Sequence, residues 1–385
     1  MGEKPASNAS IRAGNRYDRS EWAGAFGDLG TLIPFIIGYI AIQKLDPLGI
    51  LFTLGLFMIV SGLYYKTPIP VQPMKAIGGA AIAGGAVTPN MVWGAGLFTG
   101  LFWLVLGLSG ALEFISKIVS KPVIRGLVLG LGFLFIMEGT RLMRTDIILA
   151  LVALALTYAF LANKSVPAMF ALLVFGVVVA LIQNPGFWQE LIAIRPAFRL
   201  PQFALGSLSW RELSAGVVVL AIPQIPLTFG NAVIAVTAEN NRLFPERPVS
   251  EKKISISKGI MNLISPIFGG IPLCHGAGGM AGHVRFGAHT GGSLVILGGI
   301  LLVLGLGFSD SVLLLFSMIP SCVLGVILFF AGLELAMSAH ETSSEKTDFY
   351  ILLVTAAFSL WNIGAGFLAG LIMQELIKRN WIKIF

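Results

Sequence analysis

The sequence predicts an all-α polytopic membrane protein of fourteen segments, built as 7+7 inverted repeats that include two half-helices. Three observations lead there: composition, the spacing of apolar segments, and an internal repeat. Of 385 residues, 56% are hydrophobic and 12% charged, with a mean hydropathy of +0.86. A soluble domain carries about 25% charged residues, so disorder, a nucleic-acid module and an ordinary cytosolic enzyme are excluded. The 46 glycines suit helices that approach closely in lipid. The net charge of +7 comes from cations lying between apolar segments, not on one face, and does not point to nucleic acid. Cys274 and Cys322 fall inside apolar segments and are read as packing residues, without a disulfide.

The first twenty residues are polar and carry Lys4, Arg12, Arg16 and Arg19. The apolar stretch after them is too long for a signal-peptide core and lacks a clear cleavage site, so it is the first span. Ordinary spans are expected at 22–41, 47–65, 90–110, 122–140, 145–162, 166–183, 213–237, 254–268, 290–308, 320–338, 347–360 and 362–378. Two further segments, 71–87 and 273–288, are short and rich in Gly and Ala. With the N-terminus in the cytoplasm, nineteen of the 26 Lys and Arg fall inside, Lys258 among them. Six fall outside, and Lys75 lies within the membrane. That bias supports an even number of crossings with both termini cytoplasmic. The longest polar break, 184–212, is external and divides the chain. The expected organisation is a cytoplasmic tail (1–21), a first repeat (22–183), the linker (184–212), a second repeat (213–378) and a cytoplasmic tail (379–385).

Three short matches support the division. Ile69-Pro70-Val71-Gln72-Pro73 recurs as Ile271-Pro272-Leu273-Cys274-His275, Phe26-Gly27-Asp28 as Phe229-Gly230-Asn231, and Lys121-Pro122 as Ile319-Pro320. They keep one order and nearly one offset. Seven segments per half give the halves opposite orientations. Inverted repeats with Gly/Pro-interrupted segments at matching places point to a secondary transporter and to its midplane site.

At the first odd segment, Pro70 and Pro73 favour an extended piece followed by a helix start deep in the membrane. Such a start presents free N–H groups and a positive dipole end, which is an anion site. Lys75 in its first turn is unfavourable for the helix alone, and an anion would satisfy both; snorkelling or pairing with a carboxylate is the alternative. Gln72, Met74 and Lys75 are therefore candidate substrate-binding residues. The second odd segment repeats the logic and adds His275, Gly276 and Ala277. His283 and Arg285 lie two turns on, as coupling or structural groups. Asp28, among glycines in the first span with Thr31 beside it, is an intramembrane acid that either handles a coupling ion or caps a broken turn. Gln224, Thr228 and Asn231 share one helix face, for substrate contact or interhelical hydrogen bonding. Glu239 is expected as a solvated or paired carboxylate at a span end. Glu138 and Glu334 are read as structural. The histidine spacing lacks the carboxylate support of a zinc site, so neither metal nor cofactor is expected.

Gly27-Asp28-Leu29-Gly30-Thr31 with Pro34, Pro70-Val71-Gln72-Pro73-Met74-Lys75, Pro226-Leu227-Thr228 with Asn231, and Cys274-His275-Gly276-Ala277-Gly278-Gly279 together resemble signatures of the molybdate transporter family within the sulfate permease superfamily. The resemblance implies a core domain of segments 1–4 and 8–11 carrying substrate against a gate domain of segments 5–7 and 12–14. It also implies molybdate as substrate, elevator-like alternating access, and a homodimer. Sulfate permeases append a cytosolic regulatory domain; this chain ends at Phe385, as the molybdate branch would.

The leading expectation is a secondary active importer of molybdate, with sulfate or tungstate as related oxyanions, in a prokaryotic inner membrane. A proton is the expected coupling ion, with sodium coupling and exchange left open by the residues. The alternatives are a general oxyanion carrier, a nucleobase or weak-acid symporter of the same fold, and an intramembrane enzyme. Against the enzyme, no nucleophile–base pair stands out. The GxxxxGK[ST] motif of ATP-driven transport is absent.

Overall fold

The computed structural model describes residues 14–82, 87–112, 120–160, 168–337, 339 and 345–382. The start of the predicted N-terminal tail, the end of the first half-helix at 83–86, and the counted cations Lys4, Arg12, Lys117, Lys164 and Lys383 lie outside the described residues.

All fourteen predicted segments are present. The first is a bent pair, α1 (Arg19–Ala25) and α2 (Leu29–Ala41), which meet at 44° across a break holding Asp28. Next comes α3 (Pro47–Tyr65), N-capped by Asp46, whose carboxylate accepts from the Leu48 N–H at 3.0 Å. The first odd segment is a two-residue strand, β1 (Gln72–Pro73), and the half-helix α4 (Lys75–Ile82). The half closes with α5 (Pro89–Ser109), α6 (Lys121–Met143), α7 (Ile147–Phe160) and α8 (Ala168–Gln183). A short α9 (Gly186–Ile192) lies in the polar break.

The second half opens on a 34-residue helix, α10 (Trp210–Leu243). It is followed by α11 (Glu251–Ile264), strand β2 (Leu273–Cys274), the half-helix α12 (Ala277–Arg285), α13 (Gly292–Met318), α14 (Ser321–Met337), α15 (Lys346–Trp361) and α16 (Ile363–Lys378).

The expected end of a span at 308 falls on a break: the backbone at Phe308 is non-helical, and a second helical stretch continues to Met318. Two features depart from expectation. Five helices are individually long and apolar enough to cross a bilayer among the described residues, or six with the bent pair. Over the described residues α7 has 14 residues and α14 has 17. Finally, Lys258, counted as cytoplasmic above, is fully buried on α11. Its ammonium donates to Cys274 Sγ at 3.0 Å and sits 5.5 Å from the centre of the Trp103 ring. A thiol and an aromatic face give that cation partners in the interior, so it need not reach water.

Several helix pairings recur when the halves are exchanged. α3 packs on α13, and α5 packs on α11, which are the same pairing with the segments swapped. α6 packs on α14, each the fifth segment of its half, and β1 pairs with β2. A side-chain detail repeats too. Ser61 Oγ donates to the Ile69 carbonyl at 2.7 Å, and Ser265 Oγ to the Ile271 carbonyl at 2.7 Å. Each serine satisfies an extended backbone group that has no helix to satisfy it.

Contacts between loops and helix ends fall into two sets. Arg199 of the linker pairs with Asp46 before α3 and with Asp310 of α13. On the other set, Arg247 donates to the Lys66 carbonyl, Asn15 Nδ2 to the Gly62 carbonyl, and the Ser120 N–H to Gln374 Oε1.

α6 and α14 touch backbone to backbone. A Cβ on Gly132 would lie 2.7 Å from both the Gly332 carbonyl oxygen and the Ala336 nitrogen. Such a seam allows close helix approach without side chains between. Gly132→Val is expected to destabilise by about 1–3 kcal/mol, read as a lower melting temperature in detergent. Gly307→Ala, with open space at its Cβ, should leave the melt unchanged.

Candidate functional site

The two odd segments cross at the centre of the molecule. β1 and β2 pair antiparallel, Gln72 opposite Cys274 and Pro73 opposite Leu273. The Met74 N–H donates to the Pro272 carbonyl at 2.8 Å and extends the ladder. The outer edge of β2 is closed by Asn262 of α11, whose amide accepts from the Leu273 N–H at 2.7 Å and donates to the Leu273 carbonyl at 2.6 Å. From this crossing α4 and α12 depart.

Between α2, α4, α12 and α14 lies a cavity of about 130 Å³, lined by Thr31, Phe35, Lys75, Gly278 and Glu334 among others. Lys75 is half-buried and makes no ion pair or hydrogen bond among the described residues. Gly278, in the first turn of α12, has nothing within 4 Å of its Cβ direction, so bare backbone faces the space. Gly276, the N-cap of α12, provides no side-chain cap.

The two helix starts differ, and one departs from expectation. The α4 N-terminus is not open: Gln224 Oε1 accepts from the Ala76 N–H at 2.7 Å and the Ile77 N–H at 3.3 Å. Leaving buried donors unmet would cost about 1–3 kcal/mol each; the α10 amide meets them. Gln224 Nε2 donates in turn to Thr228 Oγ1 at 3.0 Å. The open end is that of α12.

Asp28 is buried and does not cap α2. It accepts from Gln72 Nε2 at 2.6 Å. Gln72 lies across the first turn of α12, where a Cβ on Gly279 would collide with Gln72 Nε2 and come within 2.6 Å of Asp28 Oδ2. Asn231 reaches the same turn, its Nδ2 3.5 Å from the Cβ direction of Gly276. Thus α10 caps the start of α4 through Gln224 and brings Asn231 near the start of α12. Its π-helical turns at Val217–Ala221 and Thr228–Ile234, with Pro223 and Pro226 between, replace the plain helix face expected from the spacing.

The other candidates are held elsewhere. His275 Nδ1 donates to the Pro70 carbonyl at 2.7 Å, which fixes the neutral tautomer, and Nε2 takes the Ser257 hydroxyl at 3.1 Å. The ring ties the extended segment to α11. Met74 is buried, its sulfur 3.8 Å from Thr99 Oγ1. Ala277 packs against a side cluster around Trp103 and Phe229. Glu239 pairs with Arg242 at 2.7 Å on the surface. His283 is buried with Nδ1 on the Gly24 carbonyl at 2.7 Å, while its Nε2 has no partner among the described residues. It lies within electrostatic reach of Asp28, as does Lys75.

Glu334 and Glu138 both read as structural in the sequence. Glu138 does join Arg141, at 3.5 Å. Glu334 instead lines the cavity, and its Oε2 is 3.5 Å from the Cβ direction of Gly30. Only the long-range pairing of α14 with α2 could reveal this.

Two substitutions separate the groups. Gly278→Val should fold with an unchanged melt but fill the cavity and abolish anion binding, read by calorimetry. His275→Ala should lower stability by about 1–3 kcal/mol through the stranded Pro70 carbonyl, read by thermal melt, with binding affinity retained.

The family described as "Molybdate transporter of MFS superfamily" matches residues 20–135 and 216–335. Those stretches hold the first five segments of each half. Molybdate transporter 2 of Arabidopsis thaliana is 34% identical over 93% of this chain and 87% of its own length. Molybdate transporter 1 of Chlamydomonas reinhardtii is 29% identical over 92% of this chain and 90% of its own. Among solved structures, the transmembrane domain of a cyanobacterial bicarbonate transporter, BicA, superposes with a TM-score of 0.67 at 16% identity, covering 95% of this chain and 98% of that one. The murine anion transporter Slc26a9, in its inward-facing state, gives 0.68 at 12% identity, covering 99% and 74%. Fold and sequence agree, and set aside the enzyme reading: this multi-pass membrane protein belongs to the molybdate transporter family.

Proposed function

We propose that the chain is a secondary active transporter that imports molybdate by alternating access. The carrying observation is the cavity where the start of α12, which has no side-chain cap, and the ammonium of Lys75, which has no ion pair among the described residues, face one space. Backbone donors and a cation are what a tetrahedral oxyanion needs. The choice of molybdate rests on the relatives' names; sulfate and tungstate share its shape and charge.

In this reading the halves are inverted repeats, 22–183 and 213–378. Segments 1–4 and 8–11 carry the substrate, and segments 5–7 and 12–14 form the gate. The cavity lies at that border, with α2, α4 and α12 on one side and α14 on the other. Both termini are cytoplasmic, in an inner membrane, and two chains form a homodimer. Arg285 and Glu334 are exposed near the ends of α12 and α14, which this orientation directs inward, so the cavity opens to the cytoplasm. Asp28, held by Gln72 beside α12, carries the coupling proton.

Molybdate uptake into proteoliposomes, counted by elemental mass spectrometry with and without a pH gradient, tests the reading. Uptake driven by an acidic exterior and resistant to excess sulfate is expected. Abolition by sulfate would make this a general oxyanion carrier, and no uptake into sealed vesicles would overturn the proposal. Lys75→Ala should fold and bind molybdate about 10- to 100-fold more weakly, the equivalent of a charged hydrogen bond of ~1.5–3 kcal/mol.

A further inference from the structure

The cavity and its surroundings hold more charge than an anion site requires. Lys75 on α4 and Glu334 on α14 line the cavity; around it stand Arg285 on α12 and Asp28 in the α1–α2 break, with the buried His283 of α12 within electrostatic reach of Asp28. Glu334 lies within electrostatic reach of Lys75, Asp28 and Arg285. Lys75 has no closer partner among the described residues, so the empty site is balanced across a gap of cavity size, not by contact pairs. The remaining elements packed on α14 add little. α8 carries no charged residue, α2 offers only Tyr39 and α7 only Tyr158, which lies on Phe330 with ring centres 5.3 Å apart. The ionic groups of α6 are Lys121, Arg125, Glu138 and Arg141 near its ends, the last two paired with each other.

A dianion entering this site brings two negative charges to a place already neutral. Uncompensated charge in a membrane interior is costly. Neutrality returns if each carboxylate takes one proton. We propose that Glu334 is the second proton-binding group of this transporter, so that one dianion moves with two protons and no net charge. The proposal rests on the reading of the chain as an oxyanion importer with Asp28 as the first proton carrier. In the cycle, water on the loading side gives one proton to each carboxylate as the dianion binds Lys75, Arg285 and the α12 backbone. On the releasing side the dianion and both protons leave, and the carboxylates again balance the cations. Glu334 is on the gate side of the border, so its charge in the empty state also draws Lys75 across that border.

The test measures molybdate by elemental mass spectrometry and protons by an entrapped pH dye, in proteoliposomes of the whole chain. With the potential clamped at zero, two protons give about 100-fold accumulation per unit of pH gradient and one proton about tenfold. Wild type should show two protons per molybdate, and an inside-negative potential should not change its accumulation. Glu334→Gln keeps the shape of the protonated acid and should still carry molybdate with one proton. It then moves one net negative charge, and ~100 mV inside-negative should lower its accumulation about 50-fold. Glu334→Asp keeps the acid and should keep two protons, which also shows that the position tolerates change.

A wild-type ratio of one proton, a wild-type accumulation that falls with potential, or a Glu334→Gln variant that still takes two protons would each overturn the proposal. So would a folded Glu334→Gln that is inert. Failure of wild type to take up molybdate at all would instead defeat the underlying functional reading.

Discussion

Extended backbone in the middle of a membrane has nothing to bond with except protein, and the rest of this structure follows from how that need is met. Two such stretches cross at the centre and bond to each other, Gln72 opposite Cys274. Their outer edges are closed by side chains: Asn262 on Leu273, Ser61 on Ile69, Ser265 on Ile271 and His275 on Pro70. Each of these polar residues would be out of place on a lipid-facing helix. Here each satisfies a group that secondary structure leaves open.

The crossing decides where chemistry can happen. It ends both extended stretches at one depth, so α4 and α12 start near each other and lie away from lipid. The two starts are then treated differently. α10 caps α4 with Gln224, while the start of α12 faces the cavity. Of the two helix starts only that of α12 faces the cavity, with Lys75 contributed from the first turn of α4. Thr228 holds the capping amide, and Gln72 holds Asp28, so polar residues that read as a loose set along the chain form two short connected networks.

Much of this was legible in the sequence. Apolar run lengths gave the segments, and Pro70, Pro73 and the Gly/Ala run after Lys75 marked the broken ones, because proline and small residues act locally. The sequence singles out Lys75 and Asp28 for the same reason, but it points to Gly276 and Ala277 at the start of α12, whereas Gly278 is the residue that lines the cavity. What escaped depends on contacts between distant segments. The burial of Lys258 requires Cys274 and Trp103 to converge on it. The direction of the His275 ring requires Pro70 and Ser257. The place of Glu334 on the cavity requires α14 to lie against α2. The helical stretch that follows the break at Phe308 escaped because the expected spans resume only at 320.

The central ladder also has a history within each molecule's synthesis. Gln72 and its partner Cys274 are 202 positions apart. At a synthesis rate of about 5–20 residues per second, the first half waits some 10–40 s for the strand that completes it. During that interval the newborn protein sits in the bilayer with the Gln72 amide and the carbonyls of Gln72–Pro73 unpaired by a partner strand. Its survival then depends on the insertion machinery shielding that edge, and a ribosome stalled between the halves leaves a fragment that the cell's membrane proteases can recognise by it.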